Sequence, residues 1–85
     1  STFVDGLDEE ELALTLYPNP VKDLLHIQTD HSINKLLVYN TNGQLVISKE
    51  DAFEKINVSQ LAKGLYLMQV YTEEGEIIQK KFLKE

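Results

Sequence analysis

With 85 residues the chain has room for one domain, one modest core and little space beside it for a deep catalytic pocket. Its 14 acids against 8 bases give a formal charge of −6, which argues against nucleic acid and anionic membranes as partners, and with lysine as every base there is no bidentate arginine clamp. The lack of cysteine excludes disulfides, thiolate metal sites and a thiol nucleophile.

Residues 1–11 read as an acidic, flexible linker. Asp5, Asp8, Glu9, Glu10 and Glu11 crowd around Gly6, and like charges keep such a stretch extended and solvated. Their spacing does not match a calcium loop. No secretory leader is legible there, so any export address is expected elsewhere. Residues 11–17 alternate, with Leu12, Leu14 and Leu16 on one face of a first strand. Tyr17-Pro18-Asn19-Pro20 then stops pairing, because proline has no amide hydrogen to give. A residue before proline is held extended, so these four residues predict a rigid corner with an aromatic packed at its base.

Residues 23–29 predict a second strand with Leu25 and Ile27 facing one way. Residues 34–40 predict a third, apolar on both faces through Leu36, Val38, Leu37 and Tyr39, and therefore central. Asn42-Gly43 tolerates positive φ at both positions and predicts a hairpin into a fourth strand over 44–49. A fifth strand covers 55–58. Residues 59–63 predict one tight helical turn seating Leu61 and ended by Gly64. The sixth strand covers 65–72, and Glu74-Gly75 turns it into a seventh over 76–84. That last strand carries Lys80, Lys81 and Lys84 around Phe82 and Leu83, and lysines of this kind guard an exposed sheet edge. Turn signals roughly every 8–12 residues predict an all-β, seven-stranded, Ig-like antiparallel β-sandwich.

No catalytic constellation emerges. His26 points away from the face shared by Leu25 and Ile27, and His31 follows Asp30 in a turn. With Asp23 or Asp30 they compose a conceivable metal site, but zinc needs three or four converging ligands and nothing in the spacing fixes that convergence. Ser48 and Ser59 lack the context of a nucleophile elbow. No phosphate loop occurs, and Asn57-Val58-Ser59 matches a glycosylation pattern too short to weigh. The reading is of a non-enzyme, with no metal and no cofactor.

The order of the punctuation carries more. LTLYPNPVKDLLHI (residues 14–27), KLLVYNTNGQLV (35–46), INVSQLAKGLYLMQV (56–70) and GEIIQKKFLKE (75–85) together resemble the type A C-terminal sorting domain of type IX secretion systems. The resemblance covers residues 12–85, with Tyr17, Pro18, Asn19, Pro20, Asn42 and Gly43 as its structural motif. The chain departs from it in ending on Lys84-Glu85 rather than on a lysine or a short polar tail.

This resemblance implies a signal at the end of a larger cargo protein of Bacteroidetes-type bacteria. It implies transit through the periplasm and then the cell surface or extracellular space. The implied partners are the type IX machinery, including an outer-membrane shuttle and a sortase-like peptidase that removes the domain, and the upstream cargo domain of the same chain. Cleavage is expected before or within residues 1–12, where a peptidase can extend the chain. A signal read after folding must offer shape and open edges, so Gly64, Tyr66, Ile78, Lys80, Lys81, Phe82 and Lys84 are the expected recognition residues. The Tyr17–Pro20 corner is expected to hold the first turn rigid, with a second role in being read, while the machinery grips the opposite end of the chain. Removal of residues 80–85 is expected to block export yet leave much of the fold. Self-association through the edge strand is a further expectation. The alternative is an accessory Ig-like or fibronectin-like module of a secreted enzyme, holding carbohydrate or a neighbouring domain, with Tyr39, Tyr66 and Tyr71 as the exposed aromatics.

Overall fold

Short runs of alternating or β-branched apolar residues, each closed by a glycine, proline or asparagine, leave the chain one economical solution: two small sheets packed face to face. The computed structural model describes residues 14–85. The predicted linker, the expected cleavage region and the start of the predicted first strand lie outside the described residues. Seven strands follow in order among them: β1 (Leu14–Tyr17), β2 (Leu24–Thr29), β3 (Ile33–Tyr39), β4 (Leu45–Lys49), β5 (Lys55–Asn57), β6 (Gly64–Thr72) and β7 (Ile77–Lys84). One sheet has the order β1-β2-β5 and the other β4-β3-β6-β7, with every pairing within the sheets antiparallel. The predicted all-β sandwich is present, and β3 and β6 are the central strands of the larger sheet.

The inward faces follow the two-residue period of a strand. Leu25 and Ile27 of β2, Leu36 and Val38 of β3, Tyr66, Met68 and Val70 of β6, and Ile78 and Phe82 of β7 meet in the core with Leu14, Val21, Ile56 and Val58. Full burial of such a side chain contributes about 1.5–3 kcal/mol. Phe82 and Leu14 are among the largest side chains that are wholly enclosed.

Two hairpins share one design. The β3–β4 loop is a three-residue loop. The N–H of Gly43 bonds the C=O of Asn40 (3.0 Å), and the N–H of Asn40 bonds the C=O of Gln44 (3.0 Å). The Asn40 Oδ1 also accepts from the N–H of Asn42 (2.9 Å) and of Gln44 (3.0 Å). The β6–β7 loop repeats this with Thr72 in the place of Asn40: its Oγ1 accepts from the N–H of Glu76 (3.0 Å), and Gly75 bonds its C=O (3.1 Å). The expectation of positive φ at both Asn42 and Gly43 is corrected, since only Gly43 takes it (φ 82°). A type I turn closed by a left-handed glycine needs that conformation once, at its third residue.

Residues 59–63 form no helix. A single turn, from the Leu61 N–H to the Val58 C=O (3.0 Å), seats Leu61 against the core. An isolated helical turn fixes several dihedrals for one hydrogen bond, so the chain spends only the turn that places Leu61.

Candidate recognition surface

The last strand is an edge strand, and the proline turn closes part of that edge. Tyr17-Pro18-Asn19-Pro20 carries cis peptide bonds before both prolines. Immediately after it, Val21 is wholly buried and forms a parallel bridge to Lys84. Its N–H donates to the C=O of Leu83 (2.8 Å), and its C=O accepts the N–H of Glu85 (2.8 Å). The Asn19 Oδ1 accepts the N–H of Leu83 (2.9 Å), across 64 positions of sequence. Both backbone groups of Leu83 therefore face the outer edge and are held there by the turn. The fold thus brings the turn and the last strand, at opposite ends of the described residues, into contact.

Leu83 also sets the parity of the strand. Backbone groups of alternate residues on an antiparallel edge strand point outward. The N–H and C=O of Lys81 and Gln79 consequently face the open edge, and no described residue pairs with them there. A stretch of β7 next to the turn is left as a template for another strand.

Gly64 begins β6 with φ 146°, a conformation that side-chain-bearing residues rarely adopt, and a Cβ there would meet nothing within 4 Å. It is the backbone, not space, that requires glycine. Two residues on, the Tyr66 hydroxyl donates to the Ala62 C=O (2.6 Å), and its ring stacks on Phe82 of β7 at 5.5 Å. This tyrosine ties the loop before β6 to the last strand, much as a tyrosine corner does in other sandwiches.

The predicted recognition residues divide by face. Tyr66, Ile78 and Phe82 are buried in the core, so their contribution is to shape and hold the strand. Lys84 is buried too, with its Nζ donating to the Glu85 C=O (2.9 Å). Lys80 is half-buried and lines a cleft with Leu14, Thr15, Leu16 and Asn19. Lys81 is exposed, and Gly64 is half-buried at the end of β6. The outward positions Ile77, Gln79 and Leu83 belong to the last strand expected as the recognition surface, whereas Val21 escaped the sequence reading. The signal that could have found Val21 is a lone apolar residue after a double-proline turn.

The other predicted groups are placed as follows. Asn42 and Gly43 form the β3–β4 turn. Tyr17 is exposed and stacks on its cross-strand partner His26 at 5.1 Å, so the expectation of an aromatic packed beneath the corner is corrected. A strand-end residue opposite His26 points to the outer face, and stacking there is its apolar contact. His31 lies 3.9 Å from Glu74. Among the described residues no three His, Cys, Asp or Glu side chains gather as a metal site. Tyr39 and Tyr71 are half-buried while Tyr66 is enclosed, so the three do not form one exposed aromatic platform.

Removing residues 80–85 would take Phe82 out of the core and Leu83 and Glu85 away from Val21. The expectation that much of the fold outlives this truncation is therefore corrected, because the terminal residues complete the core.

The described residues form a small antiparallel β-sandwich whose last strand is an edge partly capped by the proline turn. The chain matches the family described as the secretion-system C-terminal sorting domain over residues 15–85, and it belongs to that family. It is 33% identical over 70 residues to beta-agarase D of Zobellia galactanivorans, which covers 82% of this chain and 14% of that protein. The chain thus spans about one-seventh of the curated relative's length. In fold it is similar to a portion of PorZ, an essential bacterial surface component of the type-IX secretion system of Porphyromonas gingivalis, with a TM-score of 0.71 and 19% identity over 95% of this chain and 12% of that one. The domain is a sorting signal of type IX secretion and is not catalytic. Such a signal sends its protein to the cell surface or beyond it.

Proposed function

We propose that the domain is read in its folded state, in the periplasm, by strand addition to the open edge of β7 next to the proline turn. A component of the secretion machinery supplies the strand, and Lys81 and the residues beside it give selectivity. The cargo, a larger upstream protein of which a secreted enzyme is the model, then crosses the outer membrane by way of a shuttle. A sortase-like peptidase cuts ahead of β1 and releases the domain. The observation that carries this reading is the edge itself: Asn19 and Val21 hold Leu83, and no described residue pairs with the outward groups of Lys81 and Gln79 beyond them.

The test is Gln79→Pro in residues 12–85 fused behind a periplasmic reporter, in a bacterium that has the system. Proline at 79 removes an N–H that faces the edge and not β6, so the ladder between β6 and β7 keeps its hydrogen bonds. The expected result is a folded domain whose reporter stays in the periplasm, while Gln79→Ala exports normally. Normal export of the folded Gln79→Pro fusion would refute strand addition. A wild-type fusion that never leaves the periplasm would refute the sorting role of this segment.

A further inference from the structure

The four-stranded sheet has a second side. The register places Lys35, Leu37 and Tyr39 of β3, Leu65, Leu67, Gln69 and Tyr71 of β6, and Ile77, Gln79, Lys81 and Leu83 of β7 on the face turned away from the core. Leu45 of β4 stands opposite Tyr39 on the same face. Leu45, Leu65, Ile77 and Leu83 each leave between 44% and 52% of their surface in water. Isolated exposed leucines are ordinary, but a contiguous apolar sheet face rimmed by polar residues marks an interaction site.

Two features say what kind of partner fits. The first is a cleft of about 480 Å³ lined by Tyr39, Leu65, Leu67, Gln69 and Lys81, with the β3–β4 turn forming part of its wall. Its volume lies in the range that encloses a bulky side chain or small ligand. The second is charge. The chain carries a net −6, yet the charged residues at the outward positions of these strands are Lys35 and Lys81. Lys35 is drawn flat onto the face, with its Nζ 4.7 Å from the centre of the Tyr71 ring. The complement of the cleft is therefore apolar where it meets Tyr39, Leu65 and Leu67 and acidic beside Lys81.

We propose that the outer face of the four-stranded sheet is a docking surface for a protein segment bearing a bulky apolar side chain flanked by carboxylates. The side chain enters the cleft beside Tyr39 and Leu65, and a carboxylate pairs with Lys81. A second copy of the chain fits less well, because it would set lysines against lysines. An anionic lipid surface fits less well too, because Glu73, Glu74 and Glu76 crowd the turn at the Ile77 end and would be repelled. The inference is distinguishable from strand addition: an added strand pairs with backbone groups at the edge, whereas this face binds through the cleft side chains, Lys81 being common to both. Gln79→Pro leaves it intact, so either idea can fail alone.

The experiment titrates a short extended peptide, with a central Phe between glutamates, into the isotope-labelled chain and follows amide shifts. The shifts are expected at Tyr39, Leu65, Leu67 and Lys81. Affinity is expected to fall about tenfold when the Phe becomes Ala, when the glutamates become lysines, or in a Leu65→Asp chain. A Lys81→Glu chain should reverse the preference and take the lysine-flanked peptide better, a readout that a simple loss of folding cannot produce. Shifts elsewhere, or binding indifferent to these exchanges, would overturn the proposal. So would a concentration-dependent mass that Leu65→Asp abolishes, which would make the occupant a second copy. Binding to phosphatidylglycerol vesicles that Leu65→Asp abolishes, with no peptide binding, would also overturn it in favour of a membrane.

Discussion

Asn19→Ala isolates the contact between the proline turn and the last strand. The substitution removes the Oδ1 that accepts the Leu83 N–H at 2.9 Å and leaves both prolines in place. Asn19 is exposed, so water can replace the lost acceptor and no buried group is orphaned. The cost is then the net value of one hydrogen bond, about 1 kcal/mol, without the added penalty of an unsatisfied donor. For a domain of this size 1 kcal/mol lowers Tm by roughly 4–8 °C. Amide exchange gives the local readout. The Leu83 N–H should exchange several-fold faster in Asn19→Ala, and neighbouring Phe82, whose N–H faces β6, should change only through the global loss. Asn19→Asp keeps an acceptor and should stay near wild type. Unchanged Leu83 exchange in Asn19→Ala would refute the turn as the holder of the edge. Damage by Asn19→Asp equal to that by Asn19→Ala would show that something other than the acceptor matters at this position.

Three further outcomes are expected. Tyr66→Phe deletes the 2.6 Å bond to the Ala62 C=O and should cost about 0.5–1 kcal/mol in urea unfolding, the lower half of the hydrogen-bond range, because Ala62 can reach water. Phe82→Ala empties a site with 1% exposure and should cost about 3–5 kcal/mol, a large share of what so small a domain has, so loss of a cooperative thermal transition is the expected result. Ala52→Gly should raise Tm by a few degrees: Ala52 sits at φ 54°, where a left-handed backbone costs about 1–2 kcal/mol, and glycine's extra freedom when unfolded returns roughly 0.4–1 kcal/mol of that.

The strands were legible because each states its period locally. Leu25 and Ile27, or Leu36 and Val38, need no distant partner to declare an inward face. Boundaries moved by a residue or two where a turn claimed the end, as when Gln44 joined the loop closed by Asn40 instead of β4. The recognition residues were harder to read for the same reason that the strands were easy. Of the residues singled out on β7, Ile78, Lys80, Phe82 and Lys84 register against Val70, Met68, Tyr66 and Gly64 on the inward side, and Lys81 alone faces outward. The other outward positions carry plainer residues: Ile77, Gln79 and Leu83. Periodicity separates the two faces, but only the core contacts say which face is inside. The bridge from Val21 to Lys84 is a non-local pairing, and no local pattern encodes it.

That non-local bridge bears on how the signal works. Asn19 and Leu83 stand near opposite ends of the described chain, and the edge of β7 acquires its boundary only when they meet. The same strand supplies Phe82 to the core and stacks it on Tyr66, whose hydroxyl ties down the loop ahead of β6. A partially folded chain therefore does not merely present a weaker signal; it lacks the defined edge altogether. Reading that edge amounts to reading completed folding, because contacts of such sequence separation are paid for last, after loop closure. On this view the proline turn marks the family and also limits the grip. It covers Leu83 and Glu85, no described residue pairs with the outward groups of Lys81 and Gln79, and under the proposed strand addition this sets the register at which a partner strand pairs.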